Sequence, residues 1–213
     1  MYNTAFYKKI VFFLLVFICL LSYQIQAQNL DIDILKSINP RNPNSTYWSV
    51  TSSSAYWLSG GVAFGTLAYG LIKKDKVMQR NGYETIIALG IGTVISEALK
   101  KTIDRTRPAD EYPNEIFVTK PIHGDAFPSG HTTLAFATAT SLSLEYRKWY
   151  IVVPAYAWAT SVGYSRMYKG YHAPSDILGG AAVGIGSGYI SHWLTKKLFT
   201  APQKKTLPDP ASN

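Results

Sequence analysis

Five apolar segments of 15 to 22 residues dominate the sequence between residues 55 and 198. Each is rich in Ala, Gly, Leu, Ile and aromatic residues, and none alternates with the two-residue period of a strand. The sequence therefore predicts an all-α fold, a bundle of five or six helices. The five segments cover residues 55–72, 85–99, 131–146, 149–164 and 177–198.

The basic residues indicate that these helices cross a membrane. If each segment crosses once, the lysines and arginines that follow alternate segments all fall on one side, as the positive-inside rule requires. The acidic connections fall on the other side. A soluble core with helices of the same length remains the alternative interpretation. The basic residues in question are Lys8, Lys9, Lys73, Lys74, Lys76, Arg80, Arg147, Lys148, Lys196, Lys197, Lys204 and Lys205.

The two ends of the chain differ from this apolar part. Lys8 and Lys9 precede an apolar run at residues 10–22, which is typical of a signal peptide with cleavage after Ala27. The alternative is a first membrane span, although thirteen residues cover only ~20 Å of a ~30 Å hydrocarbon core. We expect residues 1–27 to be this signal or span and residues 28–53 an extracytoplasmic arm with one short helix. Residues 54–199 form the helical domain, and residues 200–213 are predicted to be a disordered tail.

Composition narrows the function further. The net charge of +8 is spread along the chain between long uncharged stretches, so it does not indicate a nucleic-acid partner. Cys19 is the only cysteine, which excludes disulfides and zinc–cysteine sites. Gly180, Gly184 and Gly188 recur every fourth residue, a spacing that allows close helix approach in lipid.

Three clusters of polar residues lie at the predicted extracytoplasmic ends of the segments. The first is Lys100 followed by Arg107-Pro108, and the second is Pro128-Ser129-Gly130-His131. The third contains Ser165, Arg166, His172 and Asp176. Helix ends that meet at one face would bring these clusters into one pocket.

These residue types are those of a phosphate site. Three cations and the N–H groups of a helix start bind phosphate oxygens, and arginine does so in bidentate fashion. An aspartate four residues after His172 would hold that imidazole in one tautomer, which leaves its other nitrogen free to attack phosphorus. His131 would then donate a proton to the leaving oxygen. No carboxylate cluster is present to hold magnesium or zinc, so we expect no metal.

The spacings resemble those of the superfamily that contains the type 2 phosphatidic acid phosphatases and the vanadium-dependent haloperoxidases. Its signature is Lys, six residues and Arg-Pro; then Pro-Ser-Gly-His; then Ser-Arg, five residues, His, three residues and Asp. Lys100–Pro108, Pro128–His131 and Ser165–Asp176 match in order and spacing without a substitution. The resemblance covers about residues 55–198.

The resemblance implies a metal- and cofactor-independent phosphatase with a phosphohistidine intermediate on His172. It implies that Asp176 orients His172, that His131 is the general acid, and that phosphate is bound by Lys100, Arg107, Ser129, Gly130 and Arg166. The membrane branch of the family implies a multi-pass protein of the inner membrane whose active site faces the periplasm or exterior. Its substrate would be a phosphorylated lipid in the bilayer. We expect no obligate protein partner.

Three other functions remain as alternatives. A soluble secreted acid phosphatase of the same superfamily would carry charges on wet helix faces, which residues 142–164 lack apart from one turn. A haloperoxidase would hold vanadate where phosphate is expected, but the chain is short for one. A transporter would place its charged groups near the bilayer midplane rather than at one rim.

Overall fold

The computed structural model describes residues 30–199, in which the regular secondary structure is helical and no strand occurs. The all-α prediction is therefore confirmed. The signal peptide or first span expected at residues 1–27 and the tail expected at 200–213 lie outside the described residues. The described range contains seven helices: α1 (residues 30–38), α2 (Thr46–Ile72), α3 (Lys76–Ile103), α4 (Pro108–Glu111), α5 (Gly130–Tyr146), α6 (Trp149–Tyr168) and α7 (Pro174–Phe199).

All five apolar segments lie in helices, but α2 and α3 begin about nine residues earlier than hydropathy suggested. Their starts are set by capping side chains. The Ser45 hydroxyl accepts a hydrogen bond from the Trp48 N–H, and the Asp75 carboxylate accepts one from the Val77 N–H at 2.9 Å. Such caps stabilise polar first turns that carry no apolar signal. The helical bundle thus begins at Thr46, within residues 28–53, which the sequence assigns to the arm.

The glycines of α7 bring this helix into close contact with α5. A Cβ at Gly180 would lie 2.6 Å from the Ser129 carbonyl oxygen, and one at Gly184 would lie 2.5 Å from the Thr133 carbonyl oxygen. At Gly188 it would lie 2.7 Å from a side-chain carbon of α5. Real Cβ atoms do not approach other atoms so closely, so only glycine fits along this line. The close helix approach predicted from the four-residue spacing is confirmed.

The interior of the bundle is made mostly of small and hydroxyl-bearing side chains, whereas many large apolar ones point outward. Trp57 is 79% exposed and Leu178 70% exposed, while the buried residues include many Ala, Ser, Thr and Gly. A soluble protein rarely exposes apolar side chains over so wide a surface. Small residues at helix contacts and large apolar ones outside are typical of membrane helices. By length and hydropathy alone, α2 is the one described helix that qualifies as a candidate span.

The basic turns meet at one end of the bundle. The Glu84 carboxylate, in α3, contacts the His192 imidazole of α7 at 2.8 Å and accepts a hydrogen bond from the Thr195 hydroxyl at 3.0 Å. The hydroxyl of Thr85, the residue after Glu84, donates a hydrogen bond to the Glu145 carboxyl group of α5 at 3.2 Å. These bonds tie α3, α5 and α7 together near the turns that carry Lys and Arg. They also show His192 as a packed residue, far along α7 from the polar clusters.

We predict that Gly184→Val destabilises the bundle, because its Cβ would overlap α5 backbone, which cannot swing aside as a side chain can. Overpacking of this kind costs about 1–3 kcal/mol. Gly186 provides the control, since nothing lies within 4 Å of a Cβ there. Thermal unfolding in detergent should show a midpoint several degrees lower for Gly184→Val only. Equal midpoints for the two variants would contradict the packing described here.

Candidate active site

The three polar clusters lie at the helix ends opposite the basic turns. Lys100 lies in the last turn of α3, and Arg107 follows in the connection to α4. His131 is in the first turn of α5, and Arg166 is in the last turn of α6. The turn between α6 and α7 carries His172, and the first turn of α7 carries Asp176.

These ends surround one cavity of about 310 Å³. Six of the eight residues predicted for the site line it: Lys100, Arg107, Gly130, His131, Arg166 and His172. The rest of its wall is formed by Tyr56 from α2, Thr93, Ser96 and Glu97 from α3, Ile122 from the loop before α5, and Thr133 and Leu134 from α5. Glu97 lies 3.4 Å from the Lys100 ammonium in a partly exposed ion pair. A volume of this size holds a phosphate group and part of what is attached to it.

Arg107 is held in place by backbone carbonyl groups. Its guanidinium donates to the carbonyl oxygens of Gly124 at 2.9 Å, Tyr171 at 3.0 Å and Asp125 at 3.4 Å. The residue is 8% exposed. Burial lowers the pKa of Arg107, although nearby carboxylates such as Asp176 oppose that shift. Arginine remains charged at neutral pH, so a fixed cation lies at the cavity wall, and no carboxylate of residues 30–199 forms an ion pair with it.

Arg166 is a second buried cation at this wall. One of its terminal nitrogens donates to the Ser52 hydroxyl at 2.8 Å, and its guanidinium carbon lies 4.5 Å from the centre of the Tyr171 ring. Its Nε is buried and has no hydrogen-bond partner. An unsatisfied buried donor on a cation is costly. A bound anion would offset that cost.

His172 and Asp176 are adjacent and buried, at 2% and 0% exposure. The His172 Nδ1 lies 3.5 Å from Asp176 Oδ2, which is long for a hydrogen bond, and this nitrogen has no hydrogen-bond partner. The Asp176 carboxylate is instead engaged elsewhere: Oδ2 accepts from the Ala173 N–H at 2.9 Å, and Oδ1 from Arg105 at 2.8 Å. The carboxylate therefore faces the imidazole in a fixed orientation, from which a small approach would form the hydrogen bond.

The environment of His172 favours its neutral form. Burial lowers its pKa to about 4; Asp176 opposes the shift, and the charges of Arg166 and Arg107 add to it. A neutral imidazole keeps a lone pair on one nitrogen, which a nucleophile requires. At neutral pH the His172 imidazole is therefore in the protonation state that a nucleophile requires.

His131 lies at the same cavity, with its ring edge against Tyr56 of α2 at 4.7 Å between ring centres. Ser129 and Asp176, the other two predicted residues, do not line the cavity. The Ser129 side chain is fully buried and its hydroxyl accepts a hydrogen bond from the Thr132 hydroxyl at 2.9 Å. Its backbone N–H donates to the Asp176 carbonyl oxygen at 3.0 Å. Ser129 thus joins the starts of α5 and α7.

Sequence reasoning passed over Arg105 and Tyr56. Arg105 contacts Asp176 directly, and its only sequence signal was a position two residues before Arg107 in the same connection. Tyr56 lies in an apolar segment that offered no reason to single it out. The positions of both residues at the site depend on how the helices pack against one another, which the spacing of motifs in the sequence does not reveal.

Comparison with known proteins identifies the family. The family model described as the PAP2 superfamily matches residues 83–200, more than half of the chain. The chain belongs to the PAP2 superfamily. This match includes all three polar clusters, so the resemblance inferred from their spacing is confirmed.

Individual relatives agree with this membership. A lipid A 1-phosphatase of Porphyromonas gingivalis is 43% identical over 81 residues, which make up 37% of this chain and 18% of that protein. A lipid A 4′-phosphatase of Bacteroides thetaiotaomicron is 26% identical over 188 residues, 83% of this chain and 82% of that protein. The crystal structure of Aquifex aeolicus LpxE matches with a TM-score of 0.62 and 30% identity, over 77% of this chain and 95% of that one.

The chain thus spans less than a fifth of the first relative but most of the second and of the solved structure. Family membership and these long matches identify it as a phosphoric ester hydrolase, and the relatives indicate a membrane protein.

We predict that His172 stays neutral down to about pH 4, because burial and two nearby guanidinium groups lower its pKa to about that value. NMR of the ¹³C-labelled imidazole carbons in detergent should follow it, with the His172 signal assigned by its loss in His172→Ala. A titration midpoint near 6.5, the ordinary value for histidine, would show that the cavity is wetter or less positive than described.

Proposed function

We propose that this protein is a metal-independent lipid phosphatase that hydrolyses a phosphate or diphosphate ester through a phosphohistidine intermediate on His172. The observation that carries the proposal is the convergence of Lys100, Arg107, Arg166, His131 and His172 on one cavity. The described residues contain no cluster of three potential metal ligands, and the proposal uses none.

The cations bind the phosphoryl group. Arg107 and Arg166 are fixed by neighbouring groups before substrate arrives, and preorganised donors stabilise transition-state charge without reorganising. Lys100 adds a third charge at the end of α3. The start of α5 contributes the N–H groups that a helix leaves unpaired at its first turn. Gly130 lines the cavity at this point, so no side chain blocks the approach of an oxygen.

His172 then attacks phosphorus. Since Nδ1 faces Asp176, the attacking nitrogen is Nε2: a P–N bond forms, the ester P–O bond breaks, and the leaving oxygen takes a proton from His131. The negative charge of bound phosphate beside His131 favours its protonated form. In the second half, His131 takes a proton from water as the water oxygen attacks phosphorus, which breaks the P–N bond and releases inorganic phosphate.

The surface of the bundle supports a lipid substrate. Large apolar side chains cover its outside, and the lining of the cavity includes Thr93, Leu134 and Tyr56 from α3, α5 and α2. A substrate whose headgroup enters the cavity could leave its tail in the bilayer beside these helices. Two of the relatives are named as phosphatases of a lipid, lipid A. A soluble secreted phosphatase is disfavoured because it would expose this apolar surface to water.

We further propose that the cavity faces the periplasm or exterior of a multi-pass inner-membrane protein. The turns with Lys73, Lys74, Arg147 and Lys148 lie at the bundle end opposite the cavity. Basic turns stay in the cytoplasm during membrane insertion. The cavity therefore opens on the other side of the membrane.

We predict that His172→Gln lowers turnover by at least about 10³-fold, since loss of a catalytic nucleophile leaves only binding and electrostatic contributions. His192→Gln is the matched control: it makes the same exchange at the opposite end of α7 and keeps an amide donor within reach of Glu84. Phosphate release should be measured with EDTA present, on phosphorylated lipids and on small soluble phosphomonoesters.

The expected pattern is lipid hydrolysis by the unmodified protein and by His192→Gln, with little release from soluble esters. His172→Gln should still bind inorganic phosphate through Lys100, Arg107 and Arg166. Full activity of His172→Gln would overturn the mechanism. A clear preference for soluble esters would overturn the lipid substrate class but leave the mechanism in place.

We also predict the orientation of single cysteines placed in a Cys19→Ser background. Asn114→Cys lies in the exposed loop near the cavity end, and Lys73→Cys lies in a basic turn. In spheroplasts, a membrane-impermeant maleimide should label Asn114→Cys at once and Lys73→Cys only after permeabilisation. The reverse order would place the cavity in the cytoplasm.

A further inference from the structure

We propose that Asp31 and Arg105 are positioning residues for the reaction, which makes α1 a working part of the active site. This inference rests on the proposed function, because its effect is exerted through Asp176 on His172. Neither residue lines the catalytic cavity. Their contacts form a continuous chain from α1 to the nucleophile.

Arg105 bridges two buried carboxylates with two different nitrogens. Its Nη1 donates to Asp176 Oδ1 at 2.8 Å, and its Nη2 donates to Asp31 Oδ2 at 2.8 Å. Asp176 is 0% exposed and Asp31 8% exposed. Burial alone would lower the pKa of Arg105, but the two carboxylates outweigh it and raise that pKa above the ordinary value. The guanidinium is thus charged and fixed at both ends.

Asp31 also holds the start of α7. Its Oδ1 accepts a hydrogen bond from the Ser175 N–H at 2.8 Å, and its Oδ2 accepts one from the Ser175 hydroxyl. The first N–H groups of a helix lack partners within the helix. Asp31 therefore caps α7 from a distant segment, one residue before Asp176, and a carboxylate there also interacts favourably with the helix dipole.

The position of α1 is itself fixed by contacts with the rest of the site. Leu35 is completely buried and packs in an apolar cluster with Ile32 and Ile116. Just after α1, the Asn39 amide donates to the carbonyl oxygens of Phe117 at 2.9 Å and Tyr168 at 2.8 Å, and its oxygen accepts from the Phe117 N–H at 2.7 Å. Asp31 is thus presented to Arg105 by a docked helix.

The consequence for catalysis lies in the orientation of the Asp176 carboxylate. Oδ1 is held by Arg105, and Oδ2 is held by the Ala173 N–H while it faces His172 Nδ1 at 3.5 Å. Without Arg105, one oxygen would lose its partner and the carboxylate could rotate away from the imidazole. Without Asp31, Arg105 would lose the second anchor that aims it. Either loss should slow phosphoryl transfer while the phosphate-binding cations remain in place.

The experiment compares Asp31→Asn and Arg105→Lys with Asp33→Asn, a control on the exposed face of the same helix. Asp31→Asn keeps the shape but removes the charge. Arg105→Lys keeps the charge, but a single nitrogen cannot reach both carboxylates as the guanidinium fork does. The readouts are kcat on the lipid substrate, the Ki of inorganic phosphate as a competitive inhibitor, and the thermal midpoint in detergent.

We expect kcat to fall about 10- to 100-fold for both variants, by analogy with the loss of a hydrogen-bonded partner of a metal ligand. The Ki of phosphate should stay within about threefold, and Asp33→Asn should behave as the unmodified protein. The double variant should be little worse than Arg105→Lys, since residues of one network act non-additively. A Ki that rises in step with the loss of kcat would instead indicate a merely structural role.

The inference is overturned if kcat of Asp31→Asn and Arg105→Lys equals that of Asp33→Asn, or if kcat and phosphate affinity fall together. If Asp31→Asn does not fold, Arg105→Lys decides the question by the same criteria. Failure of the proposed function looks different, because His172→Gln would then be active. Failure of this inference alone leaves His172→Gln inactive, and the two positioning variants then either match Asp33→Asn or lose kcat and phosphate affinity together.

Discussion

The close approach of α5 and α7 is the constraint on which the site depends. Gly180 lets the backbone of α7 reach Ser129, whose N–H donates to the Asp176 carbonyl oxygen at 3.0 Å. This contact brings the starts of two helices together. One start carries Gly130 and His131, and the other follows directly on His172. A side chain at the contact would move the start of α5, proposed to bind phosphate, away from His172, the proposed nucleophile. The same close packing therefore holds the bundle together and shapes the cavity.

Two buried arginines without a carboxylate partner among the described residues dominate the charge of the cavity. Arg107 is bonded to carbonyl oxygens and Arg166 to a hydroxyl and an aromatic ring, so neither guanidinium is neutralised by an ion pair. Nearby, but outside the cavity lining, the carboxylates of Asp176 and Asp31 are both bonded to the Arg105 guanidinium. The proposed mechanism gives the two kinds of charge different roles: the paired charges of Arg105 and Asp176 orient His172, and the guanidinium groups of Arg107 and Arg166 bind the phosphoryl group. Burial makes the unpaired charges more effective, because the local dielectric is low.

The helical fold and six of the residues that line the cavity could be predicted from the sequence. Helical periodicity and residue spacing are local properties, and Lys100, Arg107, His131 and Arg166 lie at helix ends whose order along the chain fixes their side of the bundle. The orientation of the Ser129 hydroxyl toward Thr132 depends on packing and could not be foreseen. The same holds for Asp31, which meets Arg105 across 74 positions of sequence. The early start of α2 was missed because a cap, rather than hydropathy, sets it.

The most direct test of the account is chemical trapping of the phosphoenzyme. Purified protein would be mixed with a lipid phosphate, quenched within milliseconds in alkali, which preserves phosphohistidine, and digested for mass spectrometry. The account predicts one added phosphoryl group on the peptide that contains His172, formed and lost at the rate of turnover. Phosphate attached at another residue, or turnover without any phosphoenzyme under these conditions, would contradict it.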